Sequence, residues 1–323
     1  MINAIEEIQT IIKSDLHVHI SGLVDSDLVC DLLSAQSHQT ISADDIRVIE
    51  PTGSLTEYLR PWNYLKQLDL TISNLNLIIA SCFEKLISSN IKLVEMRHTV
   101  INIAKSNNIN LEDALIHLAD IIDNKCSIAG IEAGLIISLS RSNSLINDGT
   151  RMIEAIKNIG YHKRIIGLDL AGDENIIIDN GVEKIFKKAK HELNLGITIH
   201  AGETGNVRNI YDAITKFEAD RIGHGTAAAK SRPLMDILAE KNICIEVCPI
   251  SNLLSGAHNN HKQHPAKVFY RHNVPFIICS DNPQVHSKTL NDDYLLVQSE
   301  IKDIEFLKSQ HQLSKKYSFI NRR

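Results

Sequence analysis

The chain contains no run of about 18 uninterrupted apolar residues, the length a helix needs to cross a bilayer, so no membrane span is expected. Its first thirteen residues are amphipathic and carry Glu6 and Glu7 where an export signal would need an apolar stretch. Blocks of like charge are also missing. With 34 basic against 39 acidic side chains, a net charge of -5 and an isoelectric point near 6.3, an electrostatic nucleic-acid footprint is not expected and small-molecule chemistry is favoured. No CxxC spacing occurs. Six cysteines (Cys30, Cys82, Cys126, Cys244, Cys248 and Cys279) are scattered, several inside apolar runs. Buried free thiols in a reducing, cytoplasmic setting are therefore expected in place of a disulfide framework or a cysteine zinc site. No internal repeat, low-complexity tract or linker divides the chain, and one unit spanning 1–323 is expected.

What remains is a 323-residue globular composition, 43% hydrophobic and 23% charged, able to bury a large core. Disorder, collagen and coiled coil are excluded. Length alone admits two domains or one α/β barrel with insertions. Short β-branched runs bounded by turn signals recur at 15–19, 91–97, 132–139, 164–170, 196–200, 221–224, 243–248 and 275–280. Between them lie stretches of helical period at 111–123, 150–159, 181–193, 208–217, 232–240 and 264–272. Eight strands alternating with helices imply parallel βαβ units closing into a (β/α)8 TIM barrel. About seventy residues separate the first two strands, too many for one crossover helix. A helical insertion at about 24–90, containing Trp62 and Tyr64, is expected over the C-terminal mouth, where it could form a lid. The tail 287–323 reads as one or two closing helices.

Fifteen histidines are the unusual count. His17 and His19 end the first strand, and alternation with period two points both side chains the same way. The fifth strand ends in His200, followed by Ala201, Gly202 and Glu203; the sixth ends in His224 and the eighth in Ser280, Asp281, Asn282 and Pro283. Barrel active sites are assembled from such strand ends, so residues remote in sequence would meet in space. Three imidazoles and a carboxylate suit a borderline divalent ion such as Zn2+, with one position left for water. Glu203, three residues beyond a ligand, is placed to take and return a proton.

In sequence order, the blocks Leu16-His17-Val18-His19, Val94-Glu95-Met96-Arg97, Gly130-Ile131-Glu132-Ala133-Gly134-Leu135, Gly167-Leu168-Asp169-Leu170-Ala171-Gly172-Asp173-Glu174, His200-Ala201-Gly202-Glu203, Arg221-Ile222-Gly223-His224-Gly225, Glu246-Val247-Cys248-Pro249-Ile250-Ser251-Asn252 and Ser280-Asp281-Asn282-Pro283 cover nearly the whole chain. Together they resemble the adenosine deaminase family of metal-dependent barrel hydrolases. The resemblance implies one zinc ion on His17, His19, His200 and Asp281, with Glu203 as proton shuttle touching purine N1. It implies that His224 orients the attacking hydroxide, and that the backbone N–H of Gly172 meets purine N3, where glycine permits a close approach. The implied reaction is hydrolytic deamination of a 6-aminopurine, most simply adenosine or deoxyadenosine, using a water whose pKa the metal lowers toward about 7.

Two positions depart from the family pattern. Asn282 stands where a second aspartate would read purine N7, and Ser21 where an acidic residue would approach the ribose. Adenine or an N6-substituted adenine nucleotide therefore stays open as the substrate. A metallohydrolase of another bond would want a bridging lysine or carboxylate at the fourth strand, which ends instead in Leu170-Ala171-Gly172. A non-catalytic purine-binding protein would not need all six polar residues. The cluster His258, His261 and His264 reads as a solvated loop running into a helix start at His264-Pro265. Arg141 reads as either structural or ligand-facing, and His286 as close to the mouth.

Overall fold

The computed structural model describes residues 2–259 and 263–322. Among these, eight strands form one sheet in the order β1 (Lys13–His19), β2 (Ile91–His98), β3 (Glu132–Ser140), β4 (Ile165–Ala171), β5 (Gly196–Ala201), β6 (Arg221–His224), β7 (Cys244–Val247) and β8 (Phe276–Ile278). Every neighbouring pair is parallel. Beyond β8, His19 N donates to Asp281 O at 2.9 Å and Asp281 N donates to His17 O at 2.9 Å, which returns the sheet to β1. The expected TIM barrel is therefore present. Both faces of β4 and β5 are buried throughout, as they must be when helices cover the outside and side chains fill the inside.

Helix ends follow capping chemistry more than apolar period. Leu111–Ala129 starts where the Asn110 side chain accepts from Asp113 N and stops where Gly130 adopts a left-handed φ of 62°. It runs six residues past the expected end because the polar segment before Gly130 contains nothing that breaks a helix. Leu145–Ile159 begins five residues early. Gly149 lies inside it: a Cβ there would come within 2.8 Å of Ile185 Cδ1, so the glycine serves close packing.

Six helices lie between β1 and β2: Ile20–Leu23, Ser26–Ser37, Ala43–Ile46, Leu55–Tyr58, Trp62–Leu65 and Ile72–Ser88. The last packs on Leu111–Ala129 and on β2, so it is the ordinary crossover helix, and the preceding short helices are the added material. The two closing helices are Leu290–Ile301 and Ile304–Tyr317. After them Phe319, fully buried, fills the opposite, N-terminal end of the barrel. A Cβ on Gly196 would fall 2.2 to 2.4 Å from three Phe319 ring carbons. Gly196→Ala is therefore expected to cost about 1–3 kcal/mol of stability through overpacking, read as a lowered urea midpoint. An unchanged midpoint would mean that the ring is free to leave. All six cysteines are buried and unpaired, as expected. Among the described residues no helix is long and apolar enough to cross a membrane.

Candidate active site

The end of β1 directs His17 and His19 to one point, while Val18 between them packs in the core. His200 arrives from β5 and Asp281 from the turn after β8. One donor atom from each of these four lies within 4.8 Å of every other. His19 Nε2 stands 3.3 Å from His200 Nε2, and Asp281 Oδ1 stands 3.4 Å from His19 Nε2 and 3.6 Å from His17 Nε2. Asp281 holds its place in a left-handed backbone, φ 60°, and His224 does the same at the end of β6. Such conformations cost on the order of 1–3 kcal/mol and persist where the surroundings fix them; at Asp281 the two backbone bonds to β1 do so.

The buried carboxylates behind these side chains decide which nitrogen faces inward. His17 Nδ1 donates to Glu246 Oε2 at 2.8 Å, and His200 Nδ1 donates to Asp169 Oδ1 at 2.9 Å. With the proton held there, each Nε2 lone pair is turned to the common point, and His17 Nε2 is buried with no hydrogen-bond partner. Burial lowers the His19 pKa to about 3, so that imidazole is neutral. Three imidazoles and a carboxylate around an unmet nitrogen are the donor set of a divalent metal.

Asp281 Oδ2 accepts from Ser251 Oγ at 2.7 Å and from Tyr58 Oη at 3.3 Å; Tyr58 Oη also lies 2.7 Å from His286 Nε2. Asn282 Nδ2 donates to Tyr58 Oη at 3.3 Å. A Cβ on Gly22 would come 2.1 Å from Asn282 Oδ1, so glycine is needed for the close approach of these two segments. Sequence reading missed Tyr58, Ser251 and the supporting Glu246, Asp169 and Glu174. For the last four a signal existed: Glu246 and Asp169 are acids inside apolar strands, and Ser251 and Glu174 lie within the blocks quoted above.

Glu203 is 6% exposed and faces the same cavity. Its backbone N–H and that of Gly202 each donate to the Glu174 carboxylate at 2.8 Å, which fixes the turn. Burial, reinforced by the carboxylates of Asp281 and Glu174, pushes the Glu203 pKa well above the usual carboxylate range. The protonated form is thereby favoured, which suits the group to donate a proton. Asn252 Nδ2 lies 3.0 Å from His224 Nδ1, so that nitrogen accepts and the imidazole proton sits on Nε2, 3.6 Å from Glu203 Oε2. Burial holds the His224 pKa well below its ordinary value, so the ring stays neutral.

A cavity of about 530 Å³ opens from these groups. Ser21, Gly172 (φ 97°), Asn282 and Arg141 all line it, and Arg141 Nη2 donates to His200 O at 2.6 Å, so this side chain both ties the strand end and faces the cavity. Trp62 and Leu65 of the inserted helices form part of the wall, whereas Tyr64 packs against the core without reaching it.

His261 lies outside the described residues. Its neighbour His264 is not a solvated loop residue: it is 1% exposed and its Nδ1 accepts from Ala266 N, so it caps the helix Pro265–Arg271 from inside. Burial, with the nearby His258, lowers its pKa to about 3, and burial lowers that of His286 to about 4. Both are neutral in the folded chain, while the unfolded chain protonates them near pH 6.5. Their contribution to stability is complete above about pH 6.5 and falls as the pH drops toward 4, by up to about 1.4 kcal/mol per unit for each. The urea midpoint should fall between about pH 7.5 and about pH 5, and less in His264→Gln/His286→Gln; an equal fall in that variant would remove these two histidines as its cause.

The family model described as adenosine deaminase matches residues 13–321. Adenosine deaminase of Vibrio vulnificus is 29% identical over 293 residues, covering 87% of this chain and 86% of that relative. Two solved structures share the fold at low identity. An amidohydrolase from Burkholderia ambifaria with bound zinc superposes with a TM-score of 0.85 at 20% identity, covering 98% of this chain and 87% of that one. The N6-mAMP deaminase of Arabidopsis superposes with a TM-score of 0.83 at 20% identity, covering 97% and 95%. A family match from the first strand to the end of the tail, on a barrel whose strand ends carry the expected polar residues, leads to one conclusion: the chain belongs to the adenosine deaminase family, whose members are aminohydrolases of aminopurines.

Proposed function

We propose that the chain converts adenosine or deoxyadenosine and water to the 6-oxopurine nucleoside and ammonia, with one zinc ion held by His17, His19, His200 and Asp281. The observation that carries this reading is the buried Glu203 carboxyl beside a four-donor metal cluster in one cavity. A zinc ion there supplies Lewis acidity and lowers the pKa of a water. Glu203 would give its proton to purine N1 as water adds at C6, then take up a proton from the added oxygen and pass it to the leaving ammonia. His224, with its Nε2 proton beside Glu203, orients the attacking oxygen and stabilises charge near C6. The Gly172 N–H meets N3, the Asn282 amide donates toward N7, and Ser21 faces the sugar. The unit acting is the whole chain 1–323, in the cytoplasm, on a small molecule and with no nucleic acid or membrane as partner.

One observation favours a second reading. Lys66 and Lys105 line the cavity as exposed side chains without an ion pair among the described residues, which suits a 5′-phosphate. Following the ultraviolet spectra of adenosine, deoxyadenosine, adenine, AMP and N6-methyl-AMP with zinc-loaded protein tests both. Loss of the adenosine band with ammonia release is the expected result. A kcat/KM at least about tenfold higher for a monophosphate, lost in Lys66→Ala/Lys105→Ala, moves the assignment to a nucleotide. No change in any of the five overturns the proposal.

A further inference from the structure

We propose that Ser318 and Phe319, at the end of the barrel away from the cavity, act as positioning residues for the metal site through the buried chain Glu95, Arg221, Glu246 and His17. This inference rests on the reading of His17 as a metal ligand.

The chain is continuous. Glu95 Oε1 accepts from Ser318 Oγ at 2.7 Å and from Phe319 N at 2.5 Å, while its Oε2 accepts from Arg221 Nη2 at 2.5 Å. Arg221 Nε donates to Glu246 Oε1 at 2.6 Å, and Arg221 Nη1 donates to Tyr317 O at 2.8 Å. The guanidinium carbon lies 3.7 Å from the centre of the Phe319 ring. At the far end, Glu246 Oε2 accepts from His17 Nδ1. Glu95, Arg221, Glu246 and His17 belong to β2, β6, β7 and β1, and all four are fully buried.

Charges in such a row have no water to relax into, so each is placed by its neighbours. Glu95 divides its acceptor oxygens between the tail and Arg221. If the tail withdraws its two donors, Glu95 has only Arg221 left and draws that guanidinium toward itself. Arg221 then leaves Glu246, and Glu246 is the group that orients His17. The Phe319 ring limits this movement by stacking on Arg221 and by filling the space that Gly167 and Gly196 leave. A segment that only filled space would lend stability but would leave metal affinity untouched. A segment that positions His17 alters both.

The test is a zinc titration of apo protein against a chromophoric chelator, run beside thermal midpoints, for Ser318→Ala, Ser318→Thr, a chain ending after Tyr317, and His17→Ala. Partners outside the ligand shell are typically worth about 10–100-fold in metal affinity. Zinc binding should weaken about tenfold in the shortened chain and about threefold in Ser318→Ala, with Ser318→Thr close to the parent. Should the shortened chain fail to fold, Ser318→Ala decides alone, since it removes one hydroxyl. Unchanged zinc affinity in folded tail variants, beside a His17→Ala protein that has lost zinc, overturns the proposal even where the midpoints fall. Zinc held at parental affinity by His17→Ala overturns the ligand reading instead.

Discussion

Glu203→Gln is expected to retain its metal and lose turnover by at least about 10²-fold, the size of a missing general acid. The amide keeps the shape of the side chain, and the turn that carries it is fixed by backbone bonds to Glu174, so the variant should fold as the parent does. It loses only the acidic proton. Burial and the nearby Asp281 and Glu174 carboxylates raise the Glu203 pKa well above that of an exposed glutamate and so favour retention of that proton. An amide N–H can hydrogen-bond to a ring nitrogen without ever transferring a proton. Binding of the purine should therefore change little while kcat falls. Zinc content by elemental analysis and initial rates by ultraviolet absorbance separate the two effects. A zinc-loaded Glu203→Gln protein with near-parental kcat would remove Glu203 from the reaction.

The eight strands were legible because each is a β-branched run closed by turn residues, and a parallel barrel buries both faces of such runs. The residues at their C-terminal ends were legible for the same reason: once the strands are placed, His17, His19, His200, His224 and Asp281 have one rim to share. The partners of the carboxylates behind them were not. Glu246 meets His17 across 229 positions, and Tyr58 meets Asp281 across 223, separations that no local pattern encodes. Glu95, Asp169 and Glu246 look in sequence like isolated acids inside apolar strands, and only closure of the barrel pairs them with Arg97 and Arg221. The short inserted helices have too few turns to show a period, so their residues could be assigned to the mouth but not to contacts. Histidine surroundings were equally hidden: His264 reads as part of a polar loop and is buried as a cap.

Glu246→Gln is expected to produce the largest stability loss of any single change considered, about 3–5 kcal/mol, together with weakened metal binding. Glu246 accepts from Thr198 Oγ1 at 3.0 Å, from Arg221 Nε and His17 Nδ1, and from Arg97, with none of these groups exposed. A glutamine supplies one acceptor oxygen where two are used, and its amide nitrogen would face a donor. Two buried guanidinium groups then lose a shared counter-charge, the circumstance in which breaking a buried ion pair costs most. The effect has two parts with different remedies. Replacing Arg221 as well, in Glu246→Gln/Arg221→Met, removes one uncompensated cation and should recover part of the urea midpoint. It cannot restore the oxygen that holds His17 Nδ1, so zinc affinity should stay about 10–100-fold below the parent in both variants. Recovery of zinc affinity along with stability in the double variant would show that His17 is oriented by general packing and not by the Glu246 carboxylate.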